Sequence, residues 1–426
     1  MSELKTILIV GSGLAGVSAA GALRDAGFAG RLVLIGDEPE LPYDRPPLSK
    51  SVLVHDEYES LVASHQPGDI ALRAPENIAL RPAAWYETQR IELLLGRCVA
   101  KLQPAAHSLV LNDGRELGYD RLILAPGARV RRLAAVDSGA VPCLYLRTLR
   151  DAVSLRRRLR PGQRIVLLGG GVIGMEVAAS AALRECAVTV VELAPRIMAR
   201  ALPAALSDIV AAYHRAKGVT LRLGAEVIGQ AGLPAAQRAA PGLALKDGSV
   251  IAADLIVIGI GVVPNVELAQ AAGLRCDNGI VVDACGATSS QDIYAAGDAV
   301  RYPDSFFGIE MRSENWMHAQ NQALAVAKNV LGANEPYRQI PYVWSDQYDL
   351  KIQATGRFDV AQHVLRGDIA KNKFMYLHLA DQRVVGASAI NEARDIKYAQ
   401  RLIELRTVVD PAALTDPAFN LKKAAA

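Results

Sequence analysis

The stretch Gly11-Ser12-Gly13-Leu14-Ala15-Gly16 comes directly after an apolar run at residues 5–10, and Gly169-Gly170-Gly171-Val172-Ile173-Gly174 comes after a second apolar run. Each stretch has the pattern of a turn that joins a buried strand to a helix. The first glycine permits the tight turn, the second lets the backbone approach a pyrophosphate, and the third lets the helix pack on the strand. The N-terminus of the helix presents unpaired N–H groups to phosphate. One such turn is a weak signal, whereas two in one chain predict two bound dinucleotides.

An acidic residue follows the first turn near the spacing of roughly 20 residues that is typical of a carboxylate on the adenosine ribose. Residues 17–26 are expected to form a helix and residues 31–35 a strand, and Asp37 stands at the end of that strand. Glu38 is its rival for the same role. Two glycine turns with one carboxylate each are typical of a protein that passes electrons from one nucleotide to another.

Glu192 is the corresponding carboxylate after the second turn. Residues 175–184 are predicted to form a helix and residues 188–191 a strand that ends directly before Glu192. A carboxylate there accepts both ribose hydroxyls and repels a 2′-phosphate, so this site is expected to prefer NADH to NADPH. Arg196 and Arg200 stand close by and weaken that preference, since a guanidinium can bind a 2′-phosphate.

The composition is that of a large soluble enzyme. The chain has 426 residues, of which 51% are hydrophobic, and since domains run roughly 50–250 residues, two or three are expected. The net charge is only +3 with charges spread throughout, so nucleic acid is not an expected partner. No apolar stretch reaches the ~18 residues that span a bilayer, and the first residues lead into a strand rather than a signal sequence. A cytoplasmic location without membrane association is expected.

The five cysteines show no clustering that would indicate a metal or redox site; they are Cys98, Cys143, Cys186, Cys276 and Cys285. They contain no C-x-x-C or C-x4-C pair, and the seven histidines show no paired spacing. We therefore expect no metal and reduced, mostly buried thiols. Many proteins with two nucleotide sites relay electrons through a reactive disulfide, and the sequence predicts that this relay is missing.

The two halves of the chain repeat one order of elements. In the first half, a predicted hairpin at residues 98–111 precedes a buried strand at residues 121–125. In the second half, a turn at Asp247-Gly248 precedes a buried strand at residues 255–259. This repetition predicts an α/β fold with two Rossmann-like domains, the second inserted into the first. The expected domains are a first nucleotide domain at 1–118 and 252–328, a second at 119–251, and a C-terminal α+β domain at 329–426.

Two stretches are given no chemistry. The run Arg156-Arg157-Arg158 ends a predicted helix at residues 149–159, where cations favour the helix dipole. It is interpreted as a solvated helix end rather than a docking site. Residues 52–91 are predicted to form surface excursions with short helices.

Five further motifs accompany the glycine turns. They are Tyr43-Asp44-Arg45-Pro46-Pro47-Leu48-Ser49-Lys50, Tyr119-Asp120-Arg121-Leu122-Ile123-Leu124-Ala125-Pro126-Gly127-Ala128-Arg129, Gly259-Ile260-Gly261-Val262-Val263-Pro264-Asn265, Ile293-Tyr294-Ala295-Ala296-Gly297-Asp298 and Trp344-Ser345-Asp346-Gln347. Together they resemble the NADH-dependent ferredoxin reductases of bacterial oxygenase systems, which have a glutathione-reductase-like fold. The resemblance covers nearly the whole chain. It departs from the family at Pro126, where threonine is usual, and at residues 62–85.

The resemblance implies two cofactors, FAD and NADH, with the nicotinamide stacked over the flavin. The residues expected to bind FAD are Gly11, Gly13, Leu14, Ala15, Gly16, Asp37, Arg45, Lys50, Val99, Ala125, Gly127, Arg129, Asp298 and Trp316. The residues expected to bind NADH are Gly169, Gly171, Val172, Ile173, Gly174, Glu192, Arg200 and Gly261. The alternative for Asp298 is a simple helix N-cap.

The resemblance also implies three catalytic residues, Lys50, Glu176 and Trp316. Lys50 is expected beside the hydride-accepting nitrogen of the flavin, paired with Glu176, and Trp316 beside the flavin and nicotinamide rings at the start of a helix at residues 316–331. The alternatives are a surface ion pair of unrelated residues and an aromatic residue of the core. Trp344 is expected near the ferredoxin-facing edge or, equally, in the core.

The activity that the resemblance implies is hydride transfer from NADH to FAD, followed by single-electron transfer to a small acidic [2Fe–2S] ferredoxin. Four arginines are candidates for attracting that partner: Arg73, Arg81, Arg301 and Arg312. Hydride transfer depends on positioning, so no catalytic His, Ser or Cys is expected. A monomer or weak dimer is expected. The sequence does not indicate which ferredoxin or which terminal oxygenase is served.

Two other functions are open at this stage. The first is an NADH-dependent flavoenzyme that reduces a small molecule, such as an NADH oxidase or peroxidase, which usually has a reactive cysteine near residues 46–50. None is present there. The second is an NADH-responsive binding protein similar to apoptosis-inducing factor.

Overall fold

The computed structural model describes residues 4–64, 75–232, 241–416 and 419–425. They belong to two compact units. The first unit comprises Met1–Asp44, Ser64–Arg129 and Val262–Gln339. The second unit comprises Arg45–Ala63, Val130–Gly261 and Ile340–Ala426.

A five-stranded parallel sheet forms the centre of the first unit. In spatial order its strands are Ile293–Ala295, Arg121–Leu124, Thr6–Val10, Arg31–Ile35 and Ile91–Leu94. The helices Leu14–Asp25 and Trp316–Val330 pack together with one face of this sheet in a single apolar core. A parallel sheet is covered on both faces, which explains why its strands are continuous apolar runs.

Shorter elements complete the first unit. Its other helices and strands are Ala83–Thr88, Val99–Gln103, Ser108–Leu111, Glu116–Gly118, Val262–Pro264, Glu267–Ala271, Ile280–Val281, Val300–Asp304 and Ile309–Arg312. The strand Ala128–Val130 lies at the junction of the two units' chain segments.

The second unit contains another five-stranded parallel sheet. In spatial order its strands are Thr220–Leu223, Ala187–Glu192, Arg164–Leu168, Leu255–Ile258 and Cys143–Tyr145. The helix Val172–Leu183 follows the central strand, just as Leu14–Asp25 follows the central strand of the first sheet. The other elements before residue 340 are Ser51–Val54, Glu59–Ser64, Ala134–Asp137, Leu149–Arg156, Ala204–Ala216, Val227–Gly232, Pro241–Leu245 and Val250–Ala252.

The last part of the second unit is an antiparallel sheet with helices. In spatial order its strands are Tyr342–Gln347, Leu350–Gly356, Arg383–Ile390, Lys373–Ala380 and Gln362–Asp368. The helices are Ala393–Leu405, Pro411–Thr415 and Leu421–Ala424. The expected α/β fold, with two Rossmann-like sheets and a C-terminal α+β part, is therefore confirmed.

The strand pairing disagrees with the predicted domain boundaries at 1–118, 119–251 and 252–328. Arg121–Leu124 pairs with the central strand of the first sheet, so it does not belong to the second nucleotide domain. Leu255–Ile258 pairs with the central strand of the second sheet, so it does not belong to the first. In each half, the strand that follows the hairpin pairs with the central strand of its own parallel sheet. The edge of that central strand has backbone N–H and C=O groups that need partners.

Arg156 corrects the interpretation of the arginine run as a solvated helix end. Its side chain is only 1% exposed, and its guanidinium donates to the carbonyl oxygen of Val52 at 2.8 Å and to the carboxylate of Glu59 at 2.5 Å. Arg158, two residues later, is exposed. The helix places only the first arginine of the run on its buried side, since neighbours in a helix point about 100° apart. Arg156 therefore fastens residues 45–63 to the rest of the second unit.

Replacing Arg156 with alanine is expected to lower the free energy of unfolding by about 3 kcal/mol, because a buried carbonyl loses its donor and an ion pair is broken. The matched control is Arg158→Ala, for which a change within about 0.5 kcal/mol is expected. Denaturant unfolding followed by circular dichroism measures both. Equal losses in the two variants would contradict the assignment.

Candidate functional site

The first glycine turn has the shape that a dinucleotide cradle requires. A Cβ on Gly11, whose φ is +111°, would lie 1.9 Å from the carbonyl oxygen of Ala125, and one on Gly16 would lie 1.9 Å from the carbonyl oxygen of Gly11. A Cβ on Gly13 would meet nothing within 4 Å. The outer glycines are thus needed for packing, and the middle one faces open space at the N-terminus of Leu14–Asp25, where phosphate binds. The residues fit the pyrophosphate of FAD.

Asp37 lies just beyond the strand Arg31–Ile35 and is exposed. Its Oδ1 atom accepts a hydrogen bond from the backbone N–H of Glu38 at 3.1 Å. The rival carboxylate of Glu38 is half-buried and accepts a hydrogen bond from the hydroxyl of Tyr43. Asp37 is therefore the more accessible of the two carboxylates for a ribose.

Four other residues predicted to bind FAD lie in the first unit near the ends of its strands. Val99 begins a strand of the hairpin sheet, and Ala125 contacts the first glycine turn as described. Gly127, with φ +63°, accepts a backbone hydrogen bond at 3.0 Å from the loop at residue 265. The guanidinium of Arg129 donates to the Asn265 side chain at 2.9 Å and forms a 2.6 Å ion pair with Glu267. Arg129 is thus bound to two side chains of the first unit, while 51% of its own side chain is exposed.

Asp298 does not stand at the junction of a strand and a helix, as the sequence analysis expected. It lies in a loop between the strands Ile293–Ala295 and Val300–Asp304, and the N-cap of the next helix is Asn315, whose Oδ1 accepts from a backbone N–H at 2.7 Å. The N-cap alternative for Asp298 is therefore wrong. The chain forms a β-hairpin before the helix begins.

Trp316 is the first residue of the helix Trp316–Val330. Its indole Nε1 donates to Oδ1 of Asp44 at 2.7 Å, and the side chain is half-buried. This hydrogen bond restrains the orientation of an aromatic ring that is still partly exposed at the surface of the first unit. Sequence reasoning quoted Asp44 within a motif but did not assign it this contact.

The second glycine turn repeats the geometry of the first. A Cβ on Gly169, whose φ is +100°, would lie 2.4 Å from the carbonyl oxygen of Gly259, and one on Gly174 would lie 2.1 Å from that of Gly169. A Cβ on Gly171 would meet nothing within 4 Å. The N-terminus of Val172–Leu183 is therefore open to a pyrophosphate in the same manner. These residues fit NADH.

Glu192 is bound to the backbone of the turn that it serves. Its Oε2 accepts from the N–H of Gly170 at 2.6 Å, and its Oε1 accepts from the N–H of Ala194 at 2.7 Å. A carboxylate oxygen has two lone pairs, so each oxygen keeps one for a ribose hydroxyl. The two backbone contacts hold the carboxylate in place before a nucleotide binds.

The two neighbouring arginines differ in their contacts. Arg196 donates to the carbonyl oxygens of Leu202 at 2.7 Å and Ala199 at 2.9 Å, so its guanidinium is committed to its own loop. Arg200 is exposed. A Cβ added to Gly261 would lie 3.8 Å from an Nη atom of Arg200, so these two predicted NADH residues are brought together.

The predicted pair of Lys50 and Glu176 is confirmed as a contact, with 2.9 Å between Nζ and Oε2. The Glu176 side chain is 4% exposed, so the alternative of a surface ion pair is wrong. Two hydroxyls also donate to this carboxylate, Ser49 at 2.5 Å and Ser345 at 2.7 Å. Sequence reasoning missed both serines, although each lies in a motif that it quoted. Arg45, from the same motif as Lys50, donates to the carbonyl oxygen of Arg147.

Three of the four arginines predicted to attract a ferredoxin contact other side chains of this protein. Arg73 lies outside the described residues. Arg81 lies over an indole ring, Arg301 forms ion pairs with two carboxylates, and Arg312 forms an ion pair with one. Trp344 is half-buried and stacks on a neighbouring tyrosine at 6.3 Å between ring centroids.

All five cysteines lie in the described part of the chain and are free thiols. The expectation of mostly buried thiols is wrong, because Cys98 is exposed and the other four are partly exposed. Burial raises the pKa of every one of them, and for Cys98 the nearby Asp37 carboxylate adds to the effect. Among residues 4–64, 75–232, 241–416 and 419–425, no cluster of His, Cys, Asp and Glu could hold a metal ion. No helix of this described part is long and apolar enough to cross a bilayer.

Known proteins resemble this chain over its whole length. The ferredoxin–NAD(+) reductase component of the anthranilate 1,2-dioxygenase system from Burkholderia cepacia is 42% identical over 97% of this chain and 98% of its own. The crystal structure of the ferredoxin reductase for the CYP199A2 system from Rhodopseudomonas palustris is 36% identical, with a TM-score of 0.88 over 99% of this chain and 100% of that one. The crystal structure of the covalent putidaredoxin reductase–putidaredoxin complex is 35% identical, with a TM-score of 0.86 over 99% and 98% of the two chains.

Two family descriptions match the sequence, each over one region. Residues 5–323 match pyridine nucleotide-disulphide oxidoreductases, and residues 342–425 match a reductase C-terminal domain. The first match includes both glycine turns and both carboxylates described above. The protein is thus a member of the pyridine nucleotide-disulphide oxidoreductase family, with a reductase C-terminal domain over residues 342–425.

Proposed function

We propose that this protein is an FAD-dependent NADH:ferredoxin reductase that supplies electrons to an oxygenase. The observation that carries the proposal is the presence of two glycine cradles of the same geometry, each with its own carboxylate. The full-length similarity to ferredoxin–NAD(+) reductase components of oxygenase systems supports it. The putidaredoxin reductase complex supports a small [2Fe–2S] protein as partner.

When bound, FAD would supply the chemistry that links a two-electron donor, NADH, to a one-electron acceptor, the [2Fe–2S] partner. The chain's own residues bind and orient the two nucleotides. In the first unit, Gly13 admits the FAD pyrophosphate and Asp37 binds its ribose. In the second unit, Gly171 admits the NADH pyrophosphate and Glu192 binds its ribose, while the guanidinium of Arg196 is held in its own loop.

Lys50 and Trp316 are the residues that we assign to the reacting rings. Lys50 offers a fixed positive charge for the negative charge that a flavin gains on reduction, and Glu176 holds the ammonium in place. Trp316 presents an indole whose orientation is set by Asp44. The dipole at the N-terminus of the helix that begins at Trp316 stabilises a nearby anion by roughly 0.3–1 kcal/mol.

The chemistry of the thiols supports direct electron transfer from the flavin to the protein partner rather than transfer through a thiol relay. A relay or a peroxidase needs a thiolate, and burial raises the pKa of each of the five thiols here. Free thiols persist in reducing compartments, which supports a cytoplasmic location.

Anaerobic mixing of the holoprotein with NADH is expected to bleach the flavin absorbance, and oxygenase [2Fe–2S] ferredoxins are expected to accelerate NADH-dependent cytochrome c reduction several-fold. The control omits the ferredoxin. A flavin that stays oxidised would overturn the hydride-acceptor role. Bleaching without stimulation by any ferredoxin of a broad panel would favour a binding protein that senses NADH.

Replacing Asp37 with alanine is expected to raise the dissociation constant of FAD about 10- to 100-fold, because a hydrogen bond to a charged group is worth about 1.5–3 kcal/mol. Flavin content after dialysis and fluorescence titration of the apoprotein measure this loss. Asp25→Ala, at an exposed helix end, is the matched control. Retention of FAD by Asp37→Ala together with its loss from Glu38→Ala would assign the role to Glu38.

Replacing Glu192 with glutamine is expected to reduce the ratio of kcat/KM for NADH over NADPH about tenfold or more, since the charge that binds the ribose and repels a phosphate is removed. Steady-state assays with both nucleotides give the ratio. Glu226→Gln, on an exposed carboxylate paired with Lys246, is expected to leave the ratio unchanged. An unaltered ratio in Glu192→Gln would remove Glu192 from the NADH site.

A further inference from the structure

Five buried or half-buried side chains of the second unit form one continuous hydrogen-bonded chain. His214 Nε2 lies 2.8 Å from Gln347 Oε1. Gln347 Nε2 lies 2.9 Å from Ser345 Oγ, and Ser345 Oγ lies 2.7 Å from Glu176 Oε1. The far oxygen of Glu176 holds Lys50. The chain therefore runs from a histidine to the ammonium that we assign to the flavin.

The carboxylate of Glu176, which accepts from Ser49, Lys50 and Ser345, fixes the direction of every hydrogen bond in this series. A carboxylate only accepts, so Ser345 must give its single hydroxyl proton to Glu176. Ser345 then accepts from the NH2 group of Gln347, which leaves the amide oxygen of Gln347 facing His214. The ring of His214 must therefore carry its proton on Nε2.

The state of His214 agrees with this assignment. Burial lowers the pKa of His214 to about 4, so its ring is neutral at pH 7. The Nδ1 atom has no hydrogen-bond partner among the described residues, as expected for the unprotonated nitrogen of a ring that donates from Nε2. Every donor in the chain therefore points towards Glu176.

The strand Tyr342–Gln347 explains why these residues come from the Trp344-Ser345-Asp346-Gln347 motif. Alternate residues of a strand point to opposite faces, so Ser345 (1% exposed) and Gln347 (0% exposed) share the buried face, and Asp346 lies on the other face and is exposed. Burying a serine, a glutamine and a histidine side by side is costly unless each is hydrogen-bonded. Apolar residues would fill the same space at lower cost. We therefore expect these polar side chains to have a role beyond packing.

We propose that Ser345 and Gln347 of the C-terminal sheet are positioning residues for electron uptake by the flavin, acting through Glu176 on Lys50. This inference rests on the proposed function, since it assigns a further task within the same reaction. Ser345 holds one oxygen of the carboxylate so that the other oxygen points at the ammonium. Gln347 orients the Ser345 hydroxyl, and His214 orients Gln347. The reductase C-terminal domain thereby contributes to the reductive half-reaction as well as to any partner contact.

The test measures the limiting rate of flavin reduction at saturating NADH, by anaerobic stopped-flow on the FAD-loaded protein. Ser345→Ala is expected to lower this rate about tenfold, with unchanged flavin content and an unchanged dissociation constant for NADH. Ser345→Thr keeps the hydroxyl and is expected to restore at least half of the rate. Gln347→Met, which keeps the shape and loses the amide, is expected to fall between Ser345→Ala and the unmodified protein.

The coupling to Glu176 distinguishes a positioning role from a general loss of structure. In a Glu176→Gln background, Ser345→Ala is expected to change the limiting rate less than twofold, because its only route to the flavin has already been altered. Asp346→Asn, on the exposed face of the same strand, is the matched control and is expected to keep the full rate. Together these variants separate a local electrostatic effect from strand damage.

Three outcomes would overturn the inference. They are an unchanged limiting rate in both Ser345→Ala and Gln347→Met, an equal loss in Ser345→Thr and Ser345→Ala, and a full tenfold loss that persists in the Glu176→Gln background. Failure of the unmodified protein to be reduced by NADH would instead overturn the proposed function. The two failures are therefore distinguishable in one series of measurements.

Discussion

A buried carboxylate, that of Glu176, is the constraint on which much of the second unit depends. A charge that is 4% exposed must be compensated by donors, or it would cost several kcal/mol. The compensation comes from two parts of the chain that are distant in sequence from Glu176: the segment with Ser49 and Lys50, and the strand with Ser345. Satisfying one charge thus ties the entry segment and the C-terminal sheet to the helix that begins at the NADH cradle.

The same backbone constraint operates twice to form the nucleotide cradles. In each turn, a Cβ on either outer glycine would overlap a carbonyl oxygen, whereas a Cβ on the middle glycine would meet no atom within 4 Å. The two carboxylates differ, however. Glu192 is held by two backbone N–H groups, whereas Asp37 is exposed and accepts only from its neighbour in the contacts described above. The NADH ribose site is therefore the more preorganised of the two.

Local rules made the cradles and the paired fold predictable from sequence, because glycine spacing, apolar runs and strand-end carboxylates act within a few tens of residues. The Lys50–Glu176 contact was reached only through family resemblance. The contributions of Ser345 and Arg156 were missed for a physical reason. Ser345 reaches Glu176 across 169 residues of chain through strand placement, and Arg156 is distinguished from Arg158 only by which side of its helix is covered.

The protonation state of the thiols has a consequence for how this protein survives beside oxygen chemistry. A flavoprotein that feeds an oxygenase works where stray electrons reach oxygen and form peroxide. Peroxide oxidises the thiolate form of cysteine and converts it first to the sulfenic acid. Because the raised pKa values keep all five cysteines in the thiol form near neutral pH, the chain offers little thiolate to oxidise.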